Sequence, residues 1–296
     1  MTESSSTLRV VMHRQLWPFL VVGVLHGCSG VPAPEAESPP PATLQSLSVP
    51  GAVEPYLFGG ERLVGKVVVL GIDAGEATVS IEGGCGTSGE LVTVRTRGWA
   101  TGLFALLADA WLELDSTLMP GIDMPRVGRS EIKIGGRHRK YTVRYGQGDY
   151  RYQYRLNDEV VAAERVPLPR ELRAHDLHSA ILYLRSWRPR PESESDLWVV
   201  MGRHLWHLEV TYKGPDVVTS AHGPRPAVRL EGLATKQSND PSKRTSRKFF
   251  MWFSDDDDRV PLRGLAESEF GPVELIATGY SCPDCTTPCR SPTPPR

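Results

Sequence analysis

The sequence predicts a mainly β fold: an antiparallel curved sheet, forming an open barrel or sandwich, with two short packed helices. Three observations lead there. Short β-branched runs recur between residues 57 and 281, separated by Gly, Asp or Pro breaks. One stretch, KYTVRYGQGDYRYQYRL at 140–156, alternates residue by residue about a Gly-Gln-Gly break, as a hairpin does. Two segments carry helical spacing instead.

The chain before residue 57 has another character. LWPFLVVGVL at 16–25 has the length of a signal peptide's apolar core. It falls short of the roughly 20 apolar residues of a spanning helix. Arg9, His13 and Arg14 precede it as a positively charged region. Leu25-His26-Gly27-Cys28 then resembles the bacterial lipobox, whose cysteine is lipidated. Residues 1–27 are thus expected to be a lipoprotein signal peptide, with Met1 or Met12 as the start. Residues 28–56 hold seven prolines and few large apolar side chains, so they are expected to form an extended tether. At ~3.1 Å per residue it reaches up to roughly 80 Å. By resemblance to Gram-negative lipoproteins, Ser29 after the cysteine points to an outer-membrane anchor facing the periplasm. The expected partner there is the membrane itself, through Cys28.

Residues 57–281 are expected to fold as the β domain. KVVVLGI (66–72) and EATVSIE (76–82) flank an Asp-Ala-Gly break, and ELVTVRTR (90–97) follows. GLFALLADAWLEL (102–114) spaces Leu103, Leu107 and Trp111 four apart, which predicts the first helix. In the hairpin, Tyr141, Tyr145, Tyr150, Tyr152 and Tyr154 share one face and Arg and Lys the other. That face is either a packed tyrosine ladder or the wall of a ligand cavity, since tyrosine joins an apolar ring to a polar tip. DLHSAILYLRSW (176–187) predicts the second helix, with Asp176 as its N-cap. DLWVVM (196–201), HLWHLEVTY (204–212), AVRLEGL (227–233), RKFFMWF (247–253) and VELIATGY (273–280) complete the strands.

The order of these pieces resembles the exported bacterial family called domain of unknown function 3108. Gly60, Glu61, Leu63, Gly71, Ala74, Gly75, Ala77 and Thr78 match its opening. Asp176, Leu177, Ser179, Ala180, Tyr183 and Arg185 match its helix. Trp252, Ser254, Asp258, Arg259 and Pro261 match its last strand-turn-strand. The chain departs at Gly65, where the family usually has an aromatic residue, and in the polar insert at 236–247. The resemblance implies an exported, β-rich envelope protein and brings no catalytic residue.

No G-x-S-x-G, P-loop or dinucleotide motif is present, so no cofactor is expected and the chain reads more as a binder than an enzyme. The net charge is −1, and −2 without residues 1–27. With no basic stripe, nucleic acid is not an expected partner. Asp255–Asp258 reads as a solvated turn, and the pairs His175/His178 and His204/His207 lack a metal signature. No metal site is expected from them. Four cysteines remain after Cys28: Cys85, Cys282, Cys285 and Cys289, three of them in the Cys- and Pro-rich tail 282–296. In an oxidising compartment two disulfides are the first expectation, with a zinc site and a redox pair as alternatives. Three functions stay open: a carrier of an apolar or amphipathic, lipid-like ligand, an assembly partner of another envelope protein, or an enzyme with an unrecognised site.

Overall fold

The computed structural model describes residues 59–83, 91–107, 109–118, 125–169, 171–220, 223–238, 240–268 and 271–283. The expected signal and tether, with Cys28, Cys85, Cys285 and Cys289, lie outside them.

Among the described residues, fifteen strands form one sheet. The first meander runs through β1 (Arg62–Val69), β2 (Ile72–Glu82), β3 (Val92–Ala100), β4 (Ala110–Leu118), β5 (Pro125–Ile134), β6 (Arg137–Tyr145), β7 (Asp149–Leu156) and β8 (Glu159–Pro167). The second runs through β9 (Ala174–His175), β10 (Glu194–Met201), β11 (His204–Ser220), β12 (Gly223–Lys236), β13 (Ser246–Ser254), β14 (Pro261–Ser268) and β15 (Gly271–Ser281). β15 returns beside β1 and joins the two meanders. Every neighbouring pair is antiparallel except β9 with β10. Two helices accompany the sheet among the described residues: α1 (Gly102–Leu107) and α2 (Leu177–Ser186).

Period-two patterning sets the inner face. Leu112, Leu114, Ser116 and Leu118 of β4 are buried, while Glu113, Asp115 and Thr117 between them are not. The sheet curls until its edges meet. Val143, Tyr150 and Tyr152 of the first meander pack with Ala174 and Val200 of the second, so side chains close the gap between β8 and β9. Because strands reverse in turn, their connections alternate between two ends. The terminal end gathers residues 59–61 and 281–283 and the β13–β14 turn. The far end gathers the β1–β2 turn, α1, the β10–β11 turn and the β12–β13 connection.

α2 starts in a capping box. Asp176 accepts from the Ser179 amide at 2.8 Å, and the Ser179 hydroxyl accepts from the Asp176 amide at 3.0 Å. The helix is buried on two flanks, because it lies inside the curl. Ala180 and Leu184 pack on Leu197, Val199 and Leu208, whereas Leu182 packs on Ile81, Val92 and Leu118.

Two expectations need correction. The helix expected over 102–114 stops at Leu107, and Ala110–Leu118 is β4. The alternation of Leu112, Leu114 and Leu118 fits the sheet face, which outweighs the four-residue spacing of Leu103, Leu107 and Trp111. The break expected at Asp73-Ala74-Gly75 falls earlier. Leu70 (φ 53°) and Gly71 (φ 81°) form the two-residue turn, with both φ positive as a type I′ hairpin requires.

A hollow barrel with an apolar rim as the candidate site

Between α2 and the β1–β3 and β13–β15 walls lies a cavity of about 250 Å³. Register explains why it is hollow. Gly98, Ala77, Gly65 and Ala277 stand directly opposite one another across β3, β2, β1 and β15. Four adjacent strands therefore present no more than a methyl group at this level. The rest of the wall is apolar, including Leu208, Phe249, Met251 and Leu275.

The floor lies toward the terminal end and is sealed by a buried ion pair. Arg185 of α2 donates to both Glu61 carboxylate oxygens at 2.7 and 2.9 Å. Its Nε donates to the Asp258 carbonyl at 2.8 Å. Glu61, Arg185 and Asp258 thus tie the three stretches that carried the family resemblance. Burial pushes the Glu61 carboxyl above its ordinary value, against the pull of the Arg185 guanidinium. The aspartate run is an exposed turn, as expected. Asp256 accepts from the Ser254 hydroxyl and the Arg259 amide, and the Asp257 and Asp258 carbonyls accept from Arg188 and Arg185.

The far end is apolar on its outside. Of eleven exposed large apolar residues among those described, eight lie there: Leu70, Ile72, Trp99, Leu103, Leu106, Leu107, Val160 and Val161. Leu106 on α1 is 86% exposed. Phe104 of the same helix turns inward onto Val67, Val69 and Val273 and holds the tip in place. Leu70 holds a left-handed backbone that favours Gly or Asn, with its side chain in solvent.

The tyrosines lie elsewhere. Tyr141 stacks on Tyr154 at 4.7 Å between ring centroids, and Tyr150 and Tyr152 are buried in the cluster that closes the sheet edges. None of the five lines the large cavity. Tyr141 and Tyr145 line a separate pocket of about 50 Å³, beside Ser116, Asp176 and His178. His178 there bonds the Ser116 hydroxyl at 2.6 Å and the Thr96 hydroxyl at 2.8 Å. Burial holds its pKa below the ordinary 6.5, although Asp176 and Asp115 pull the other way. A Ser-His contact suggests a nucleophile. Here both Ser116 and His178 are buried, and the second ring nitrogen bonds the Thr96 hydroxyl rather than an orienting carboxylate, although His178 also lines the large cavity. The group works as a satisfied polar network that pins α2 to β3 and β4.

His175 is buried at β9, and His204 and His207 stand on β11. His207 pairs with Asp196 at 2.8 Å, and Glu209 lies near both. These three donors face outward on β10 and β11, away from the cavity. Cross-strand pairing of Asp196 with Glu209 and of Trp198 with His207 accounts for their closeness. Cys282 follows the last residue of β15, and the cysteines it was expected to join lie outside the described residues.

Comparison with solved structures finds the same kind of fold. A beta-barrel-like protein of domain of unknown function 1849 from Brucella abortus superposes with a TM-score of 0.50 at 6% identity, covering 76% of this chain and 98% of that chain. A looser match is a Bacteroides fragilis protein, provisionally described as exported and with a YmcC-like fold (TM-score 0.37, 6% identity, 77% of this chain and 99% of that chain). Another is a Parabacteroides distasonis protein provisionally described as a lipoprotein (TM-score 0.36, 8% identity, 77% and 98%). No curated protein matches the sequence. The family described as "Protein of unknown function (DUF3108)" matches residues 63–278, and the chain belongs to it.

Proposed function

We propose that this protein is a lipid-anchored cell-envelope protein that binds the apolar chain of a lipid-like ligand inside its rolled sheet. One observation carries the reading: the apolar cavity of about 250 Å³, kept empty by the paired row Gly98, Ala77, Gly65 and Ala277. That space is large enough to hold several waters. Apolar walls offer those waters few hydrogen bonds, so an apolar chain that displaces them gains their burial. The size lies just under the ~300–1,000 Å³ of ordinary ligand pockets, which suits one chain or one compact apolar molecule. The exposed leucines at the far end give such a chain an apolar path to and from a membrane. Cys28 supplies the anchor, and Ser29 supports placement at the outer membrane facing the periplasm. An assembly partner seated on the same leucines is the second reading, favoured by the eight exposed large apolar residues at that end among those described.

The test is native mass spectrometry of the full chain extracted from its own membrane. A lipid should co-purify, and Ala277→Leu, which fills the cavity, should lose it. Wild-type protein free of small molecules but holding a second polypeptide would replace the carrier with the assembly partner.

A further inference from the structure

The carrier reading leaves the polar end of the ligand unspecified, and the far end of the cavity bears on it. Inward positions on β12 run Leu230, Gly232, Ala234 and then Lys236. Ala234 lines the cavity, so Lys236 stands one inward step beyond it, toward the far end. Arg247 lies opposite Ala234, shares its inward face and also lines the cavity. Arg203 sits in the β10–β11 turn beside them. Lys236 is only 8% exposed, yet its ammonium has no hydrogen bond or carboxylate among the described residues. Arg203 likewise has no ion pair there. Several carboxylates at this end are engaged by other lysines, Asp73 by Lys66, Asp109 by Lys133, Asp158 by Lys140 and Asp240 by Lys243, while Glu267 lines the cavity and accepts from the Lys248 amide. Burial, then Arg203, then Arg247 hold the Lys236 ammonium below its ordinary pKa. The side chain is largely buried while its ammonium nitrogen still reaches solvent, and a partly desolvated cation among like charges is stabilised by an anion that joins it.

We propose that Lys236, Arg203 and Arg247 form a headgroup site for the anionic end, phosphate or carboxylate, of an amphiphile whose chain fills the cavity. This rests on the carrier reading above. The geometry suits it, since Arg247 lines the cavity, and Lys236, one inward step past Ala234, and Arg203 stand near it just beyond the lining. Lysine and arginine together bind a compact anion through charge-assisted hydrogen bonds, each stronger than a neutral one.

The test uses the full chain carrying Cys28→Ser, so that no attached lipid competes. The neutral dye N-phenylnaphthylamine reports the cavity, and dodecyl phosphate, dodecanoate and neutral dodecanol compete with it. The anionic competitors should act at about tenfold lower concentration than dodecanol. Lys236→Gln and Arg203→Gln should each remove most of that preference and leave dodecanol unchanged. Ala277→Leu should weaken all of them, dye included. Dye binding no greater in wild type than in Ala277→Leu would sink the carrier reading itself. Dye binding with equal competition by dodecyl phosphate and dodecanol would overturn the headgroup site alone. Calorimetry with inorganic phosphate separates the sources of the anion. Phosphate binding as tight as dodecyl phosphate would make this a plain anion site and also overturn the proposal.

Discussion

Replacing Arg185 with Met should be among the most damaging single changes in the domain. Arg185 is 2% exposed and Glu61 5%, and their pair holds α2 to the start of β1. Removal of the guanidinium leaves a carboxylate buried without its partner, which costs about 3–5 kcal/mol. The Asp258 carbonyl also loses the Nε–H donor. Against a domain stability of ~5–15 kcal/mol, that is a third or more of the total. Glu61→Gln combined with Arg185→Met removes both charges, so the double variant should be more stable than Arg185→Met alone by about 2 kcal/mol. Lowering the pH should also rescue the single variant. The Glu61 carboxyl is already raised by burial, and protonation removes the buried charge. Urea unfolding followed by tryptophan fluorescence reads wild type, both single variants and the double variant. A loss under about 1 kcal/mol for Arg185→Met, or a double variant as weak as the sum of the singles, would refute the clasp.

Leu184 is 3% exposed, and Leu184→Ala should cost about 2–5 kcal/mol in the same assay. For His178, the folded pKa lies below 6.5, so between that value and 6.5 the unfolded chain binds the proton that the folded chain does not. Stability should therefore fall as pH drops below about 6.5 and level off above it, and His178→Gln should flatten that slope; an unchanged slope assigns it to other groups. Cys28→Ser should release the protein from the membrane to the soluble periplasmic fraction, and membrane retention of the uncleaved precursor would indicate a plain signal anchor. Thiol titration of the unfolded, unreduced chain should find almost no free cysteine, whereas four free thiols with one bound zinc would replace the disulfides with a metal site.

Where burial and alternation coincided, the fold was legible in the sequence. The 140–156 hairpin pairs as its alternation implies, with Tyr141 opposite Tyr154 and Tyr145 opposite Tyr150. α2 begins at its capping aspartate. β5, β8 and β14 were harder to see. PRVGRSEIKI and PLRGLAES lack a long apolar run because strands on either side supply much of what holds them, and EVVAAERVP lacks one as an exposed edge strand paired only with β7. The cavity was illegible for a stronger reason. Gly98, Ala77, Gly65 and Ala277 are ordinary small residues in four separate strands, and only the register lines them up. The tyrosines drew attention by their size, but large side chains fill space, and here they close the sheet edges. Lys236 was hidden in a polar insert and gained meaning only when its side chain fell on the inner face.

Emptiness at this level has a consequence for stability that separates a kept cavity from an accident of packing. Ala277 stands opposite Gly65 and lines the hollow while remaining only partly buried. Leucine there adds three carbons pointing into apolar space. At about 0.8 kcal/mol per buried CH₂, a cavity that accepts them should return roughly 1–2 kcal/mol, less what side-chain ordering removes. Ala277→Leu should thus raise the urea midpoint of ligand-free protein while abolishing dye binding. Greater stability with lost binding is the expected trade when small residues are retained for a ligand rather than for the fold. If the space is instead too tight for leucine, overpacking should cost about 1–3 kcal/mol. Lower stability together with unchanged dye binding would mean that the Gly/Ala row serves strand packing and that the ligand, if one exists, sits elsewhere.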